Sequence, residues 1–306
     1  MSLLALLAAL AGQYAYPPPD RRWLDRLYGR LSLSVAKRLN AGDRNSGILA
    51  WIVLIALVLV PTGLVTWIAA SIHPIVTWLL DAVVMYFTLR FLSTSQHVSA
   101  IEAALRGNDV GSAANRLAEW QGEPVEAPEA GLVAKLAAEH ALRDAHHGTF
   151  APLFWFLVLP GPLGIVLYPL ALRAARSWEH IVEGDERDFG WFAARAFHVI
   201  DWIPQRLTAF VFAIVGDFED ALFCWRSQAG LWLRPEEGIV LASGAGALGV
   251  RLGDPVRAAG AVRVRPSLGM GEAAREDALA SLEGLLWRAL VLWLIVFALA
   301  AALHGA

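Results

Sequence analysis

One cysteine, Cys224, is the only thiol in 306 residues. An intrachain disulfide and a cysteine-rich metal centre are therefore excluded, and the thiol reads as a buried or membrane-interface side chain. Charge is also scarce, at 17% of residues against about a quarter in ordinary soluble domains. The 25 basic and 28 acidic residues leave a formal net charge of -3, so no global basic field points to nucleic acid. Metal-ligand spacing is missing too. The histidines (His73, His97, His140, His146, His147, His180, His198 and His304) form no H-x-x-x-H or H-E-x-x-H pattern, and neighbours such as His146 and His147 should point to different faces of a helix. No metal site is read from them.

Apolar residues fill the space that charge leaves, at 57% of the chain with a mean hydropathy of +0.50. They come in long blocks, which points to lipid. A spanning helix needs about 20 predominantly apolar residues, because a bilayer offers no water to satisfy the backbone. Residues 47–70 qualify without a single charge, and residues 285–303 contain only Arg288, close enough to the end to snorkel. Residues 74–92 form a third span with Asp81 inside, so its polar face should pack on protein. Residues 150–172 are interrupted by Pro160-Gly161-Pro162, which breaks or kinks a helix. Residues 199–215 carry Asp201, Pro204 and Arg206, as an interfacial or re-entrant segment would. The apolar head of the chain lacks a basic leader region and a small-residue cleavage site, and reads as a retained short membrane helix.

Between the first two apolar segments lie Arg21, Arg22, Arg26, Arg30, Lys37, Arg38 and Arg44, whereas the link Ser71-Ile72-His73 has no Lys or Arg. The basic loop should be cytoplasmic and the short link outside. Residues 93–149 are then cytoplasmic as well. There Val98, Ile101 and Leu105, then Ala113, Leu117 and Trp120, recur at helical spacing about a turn at Gly107-Asn108-Asp109, giving a helical hairpin. No strand alternation stands out anywhere. The predicted fold is an all-α, polytopic membrane protein with broken or re-entrant helices and helical cytoplasmic segments. Its parts are membrane helices with a basic loop (1–92), a cytoplasmic helical segment (93–149), membrane or interfacial helices (150–216), a Gly/Arg-rich soluble segment (217–284) and a last membrane helix (285–306).

Two stretches invite a chemical reading. Gly244, Gly246 and Gly249 spell G-x-G-x-x-G, but the chain then turns through Arg251, Gly253 and Pro255 instead of continuing a helix, so small-residue packing is the better account. Around residues 178–206, Arg195, His198, Asp201 and Arg206 should share one helix at the membrane. Ionisable groups there are either paired internally or functional. The internal reading is an Arg–carboxylate lock between helices. The functional reading is an anion or phosphate site, to which Arg251, Arg263 and Arg265 could add guanidinium forks.

Several blocks in order resemble the CobD/CbiB membrane proteins of cobalamin biosynthesis and their relatives in the AmpE group. They are Ala151-Pro-Leu-Phe-Trp155, Asp188-Phe-Gly-Trp-Phe-Ala-Ala-Arg195, Asp201-Trp-Ile-Pro-Gln-Arg-Leu-Thr208, Cys224-Trp-Arg226, Gly244-Ala-Gly-Ala-Leu-Gly-Val-Arg-Leu-Gly253 and Arg265-Pro-Ser-Leu-Gly269. The resemblance implies a bacterial inner-membrane protein that joins an aminopropanol-type arm to a corrinoid through an amide, using Mg-ATP, with Tyr168 among the family's positions. It also implies departures: Leu-Arg-Ala-Ala-Arg-Ser-Trp follows Tyr168 where the family has Asn-Thr-Leu-Asp-Ser-Met, Phe197 and His198 replace an acidic pair, and Asp201 replaces an asparagine. The block His198-Val-Ile-Asp-Trp-Ile-Pro-Gln-Arg-Leu207 is shared with AmpE-like proteins of cell-wall signalling and β-lactamase induction, which leaves that role open as an alternative. The candidate ligand set is Tyr168, Arg195, His198, Asp201, Arg206, Arg251 and Arg265, with no catalytic residue assigned. Expected partners are the lipid bilayer, a corrinoid, and either a cytoplasmic protein on the hairpin or a second copy of the chain.

The protein is expected to fractionate with membranes and to need detergent. Recovery from cytosol as a monodisperse, detergent-free species would overturn this reading.

Overall fold

The computed structural model describes residues 2–17, 22–125, 129–179, 189–258 and 261–305. Arg21, His180 and Asp188, named above, lie outside them. Among the described residues the chain is almost entirely helical. Three helical stretches are long and apolar enough to cross a membrane: Arg44–Ile72, Pro74–Arg106 and Glu276–Leu303. The expectation of an α-helical membrane protein therefore holds. The chain divides into two compact units, one of residues 1–89, 151–203 and 297–306, the other of 90–150 and 204–296.

In the first unit, α3 (Arg44–Ile72) starts at Asp43, whose side chain accepts from the Ser46 amide at 3.0 Å. Only Gly47, Ala50, Leu54 and Ala69 are buried along it, while Leu57, Val60, Leu64 and Trp67 are exposed, as suits a lipid-facing surface. Gly47 packs backbone to backbone, since a Cβ there would lie 2.1 Å from the Phe189 carbonyl. His73 ends α3 and caps α4 (Pro74–Thr88), its Nδ1 accepting from the Ile75 amide. The predicted short N-terminal helix is α1 (Ser2–Ala15). At about 21 Å it cannot cross a bilayer alone. It serves α4 instead: the buried Gln13 amide donates to the Tyr86 and Leu89 carbonyls at 2.7 and 3.0 Å, satisfying oxygens that the helix end leaves open. The amphipathic α2 (Arg22–Leu39) packs on α9 (Leu163–Glu179), with Trp178 Nε1 donating to the Ser32 carbonyl and the Ser32 and Ser177 hydroxyls 2.7 Å apart.

The break at Pro160-Gly161-Pro162 is present. It separates α8 (Ala151–Val158) from α9, and the two fold back on each other closely enough that a Cβ on Gly164 would lie 2.1 Å from the Trp155 carbonyl.

The second unit opens with the predicted hairpin, α5 (Phe91–Arg106) and α6 (Val110–Gln121). Asp109 caps α6 by accepting from the Ser112 amide, and Val98, Ile101, Leu105, Ala113 and Leu117 are buried. Helix α7 (Ala130–Ala145) follows and runs through a π turn (His146–Phe150) into α8 of the other unit. Helix α10 (Trp191–Val215) belongs to the first unit up to Ile203 and to the second from Pro204, and α11 (Phe218–Gln228) and α12 (Pro235–Leu248) follow, the last holding Gly244 and Gly246. A Cβ on Gly244 would lie 2.7 Å from the Leu142 side chain, and one on Gly246 2.5 Å from the Asp220 carbonyl. Gly249 ends the helix at φ +64. The glycine pattern is thus helix packing, with no strand ahead of it and no phosphate turn.

The absence of strands is corrected. β1 (Val250–Gly253) pairs antiparallel with β4 (Ser267–Gly269) and parallel with β5 (Glu272–Ala273), while β2 (Val256–Ala258) pairs with β3 (Ala261–Arg263). Such short strands have no readable alternation. Tethers from helices hold them. The Gln228 side chain donates to the Gly269 carbonyl at 3.2 Å and accepts from its amide at 2.6 Å. Glu139, fully buried on α7, accepts from the Gly253 amide at 2.9 Å and from Arg265 at 2.6 and 3.3 Å. Arg265 also donates to the carbonyls of Gly253 and Asp254 and lies over the Trp232 ring at 5.5 Å. Last, α13 (Glu276–Gly305) buries Leu282, Leu286, Ala289 and Trp293 and exposes Trp287, Val291 and Ile295.

Arg265→Leu leaves the Glu139 carboxylate buried without its cation, an expected loss of about 3–5 kcal/mol. Denaturant unfolding in mild detergent checks this. The Glu139→Leu/Arg265→Leu pair should recover most of the loss.

Candidate functional site

Helix α10 has a two-sided sequence. Val199, Trp202, Ile203, Phe210 and Ile214 are exposed, whereas Phe197, Asp201, Gln205, Thr208 and Phe212 are buried, each at most 8% exposed. The spacing of the buried set is four, four, three and four residues, one face of a helix. A polar run of carboxylate, amide and hydroxyl is therefore enclosed between two phenyl rings. Only its first member stood among the candidates from sequence. Gln205 and Thr208 were missed, although their offsets of four and seven from Asp201 could have found them.

In the first unit, Tyr168 on α9 donates its hydroxyl to Asp201 Oδ1 at 2.7 Å, with both residues buried. The Tyr168 ring packs 5.5 Å from Phe197, and Trp155 Nε1 donates to the Ile200 carbonyl. Of the predicted set, these contacts join Tyr168 and Asp201. His198 is half-buried and Arg195 exposed on the same helix.

In the second unit, Thr208 meets the π turn. His146 Nδ1 and Thr208 Oγ1 lie 2.9 Å apart, both buried. Two further polar atoms there, Gln205 Oε1 and Thr149 Oγ1, are buried without a hydrogen-bond partner. Unsatisfied buried groups are costly and are commonly kept for a ligand or water. Arg206 is half-buried beside Gln205 in sequence. The expectation that His146 and His147 point apart fails, because their ring centroids are 4.8 Å apart. A π turn rotates each residue less than an α turn does, so consecutive side chains stay closer together.

The turn is seated by α5 and α7. Asp144 accepts from the Thr94 hydroxyl at 2.6 Å and pairs with Arg90 at 3.5 Å, while the Arg90 amide donates to the Gly148 carbonyl. Gly148 lets the Arg90 stem pass, since a Cβ would lie 2.9 Å from it. Phe150 then packs against Phe212 and Trp293. Burial pushes the Asp144 carboxyl up, but Arg90, His140, the Thr94 hydroxyl and His97 outweigh it and hold the group below its ordinary value of 3.8.

The remaining candidates are placed elsewhere in the second unit. Arg265 is engaged by Glu139 and by backbone carbonyls, and Arg251 Nε lies 3.7 Å from Asp254 Oδ2. Arg265 is thus paired internally with the Glu139 carboxylate.

A depressed carboxyl contributes stability above its unfolded value, about 3.9, and that contribution is lost as pH falls through the lower folded value. Arg90→Gln should therefore move the acid limb of unfolding to higher pH, as followed by circular dichroism.

A family model described as CobD/Cbib protein matches residues 5–285. Among curated proteins, the chain is 35% identical over 295 residues to the cobalamin biosynthesis protein CobD of Stutzerimonas stutzeri (strain A1501), covering 95% of this chain and 93% of that one. It is 36% identical over 256 residues to the protein of that name from Chromobacterium violaceum, covering 82% and 80%. With the one from Pelobacter propionicus the identity is 25% over 288 residues, covering 89% and 85%. No solved structure gives a significant match. The AmpE-like alternative gains no support from these relatives.

Proposed function

The chain belongs to the CobD/CbiB family, and we propose that it serves cobalamin biosynthesis as a multi-pass protein of the bacterial inner membrane. The reaction assigned to it is amide formation between a corrinoid carboxylate and an aminopropanol-type amine. A carboxylate has no adequate leaving group, so ATP phosphorylates it, the amine attacks the acyl carbon, and phosphate departs. Mg-ATP and the corrinoid are substrates in this scheme.

The observation that carries the reading is the buried polar face of α10, whose Gln205 Oε1 has no partner within the protein. Asp201 presents carboxylate oxygen, the donor type that a hard divalent cation on a triphosphate takes. Arg206 and Arg195 carry guanidinium forks suited to phosphate oxygens. Tyr168 orients the Asp201 carboxylate through its hydroxyl. Gln205 Oε1 and Thr149 Oγ1 are the acceptors for the incoming amine and its hydroxyl. The family departures after Tyr168 and at Phe197 remove acidic groups, which concentrates the work on Asp201.

Purified protein in detergent should convert cobyric acid and aminopropanol, or its phosphate, with Mg-ATP. Arg206→Ala should lower kcat/KM about 100-fold with its elution profile unchanged. Wild-type inactivity in an assay that a relative passes would remove the enzyme, and an unaltered corrinoid pool in a deletion strain would remove the pathway.

A further inference from the structure

Helix α4 carries one charged residue, Asp81, midway along an otherwise apolar sequence. Its outward face is Ile75, Leu79 and Val83, all exposed, whereas the fully buried Met85 marks the packed face, four residues beyond Asp81. Trp78, Asp81 and Met85 follow one another at helical spacing on that packed side. Asp81 Oδ1 and Trp78 Nε1 are both buried, and neither has a hydrogen-bond partner. A carboxylate at membrane depth without a counter-charge is costly, and such residues mark ion or proton pathways.

The surroundings hold oxygen atoms and almost no charge. The described part of α1 has no ionisable group except Tyr14, and α3 has only Arg44, at its first position. On α9 the charged residues Arg173, Arg176 and Glu179 lie in the last two to three turns, with Tyr168 ahead of them. On α4 itself the other ionisable residue is Tyr86, and His73 caps its start.

The break between α8 and α9 reaches the same place. Gly161 adopts φ +59, and a Cβ there would lie 3.7 Å from Asp81 Oδ1 and 3.8 Å from Thr66 Oγ1. Thr66 donates its hydroxyl to the Thr62 carbonyl, so its oxygen lone pairs remain available. Pro160 and Pro162 have no N–H, so the carbonyls of Phe156 and Val158 lose the donors that an unbroken helix would supply. A carboxylate, a hydroxyl and helix-break carbonyls are the ligands with which discontinuous membrane helices hold sodium ions or protons.

We propose that Asp81 binds a monovalent cation, a proton or sodium, at the break between α8 and α9. This site does not depend on the reaction assigned above.

Dicyclohexylcarbodiimide, which attacks protonated carboxyls in apolar surroundings, tests this on the full chain in detergent, with the adduct located by peptide mass spectrometry. In sodium-free buffer Asp81 should be modified, and the yield should fall about tenfold per pH unit above the transition. Added sodium at constant ionic strength suppresses the adduct if sodium is the ligand and leaves it unchanged if the proton is. Asp81→Asn should reduce labelling at that peptide to background. Absence of the adduct at every pH, or an adduct insensitive to both pH and sodium, overturns the proposal. The wild-type series alone decides the matter should the variant fail to fold.

Discussion

A polar group that leaves water in this protein has to be answered from within the chain, and that requirement organises both units. In the first, a glutamine on α1 supplies donors for the last carbonyls of α4, and a histidine serves as the stop of one helix and the start of the next. In the second, a buried glutamate on α7 is met by a guanidinium and a strand amide together. The answers of Gln13 and Glu139 are made between elements far apart in sequence, so the hydrogen bonds that relieve burial also fix the packing. Among the described residues, single buried side-chain atoms of Gln13, Trp51, Trp78, Asp81, Thr149, Gln205 and Trp293 are left unanswered, and of these Asp81 bears the only carboxylate.

Helix α10 has two unlike sides. Its exposed side is tryptophan, isoleucine and phenylalanine, and its buried side is a carboxylate, an amide and a hydroxyl between phenyl rings. A helix can carry such a polar strip in apolar surroundings because its backbone is satisfied internally and only side chains need partners. Pro204 sits between Asp201 and Gln205 and removes one backbone donor at that point.

Much of this was legible from residues alone. Long apolar blocks gave α3 and α13, the proline–glycine–proline signal gave the α8–α9 break, and the periodicity of Val98 to Leu117 gave a hairpin with its turn in place. Asp201 and Tyr168 were legible as candidates, the latter through family likeness. What stayed hidden depended on partners distant in sequence. Nothing near Arg265 announces Glu139, 126 positions away. The strands of residues 250–273 are too short to alternate, and the π turn that brings His146 and His147 side by side follows from tethers on α5. The G-x-G-x-x-G pattern shows the converse, a clear motif whose first two glycines serve the approach of neighbouring groups and whose third ends the helix.

The Gln228 side chain bonds both the amide and the carbonyl of Gly269, the two groups that an adjoining strand would otherwise use. β4 lies at the rim of its sheet. One side-chain amide thereby imitates a peptide unit and closes that rim to strands from other molecules. An edge strand covered in this way offers no free template for pairing, which guards against templated aggregation.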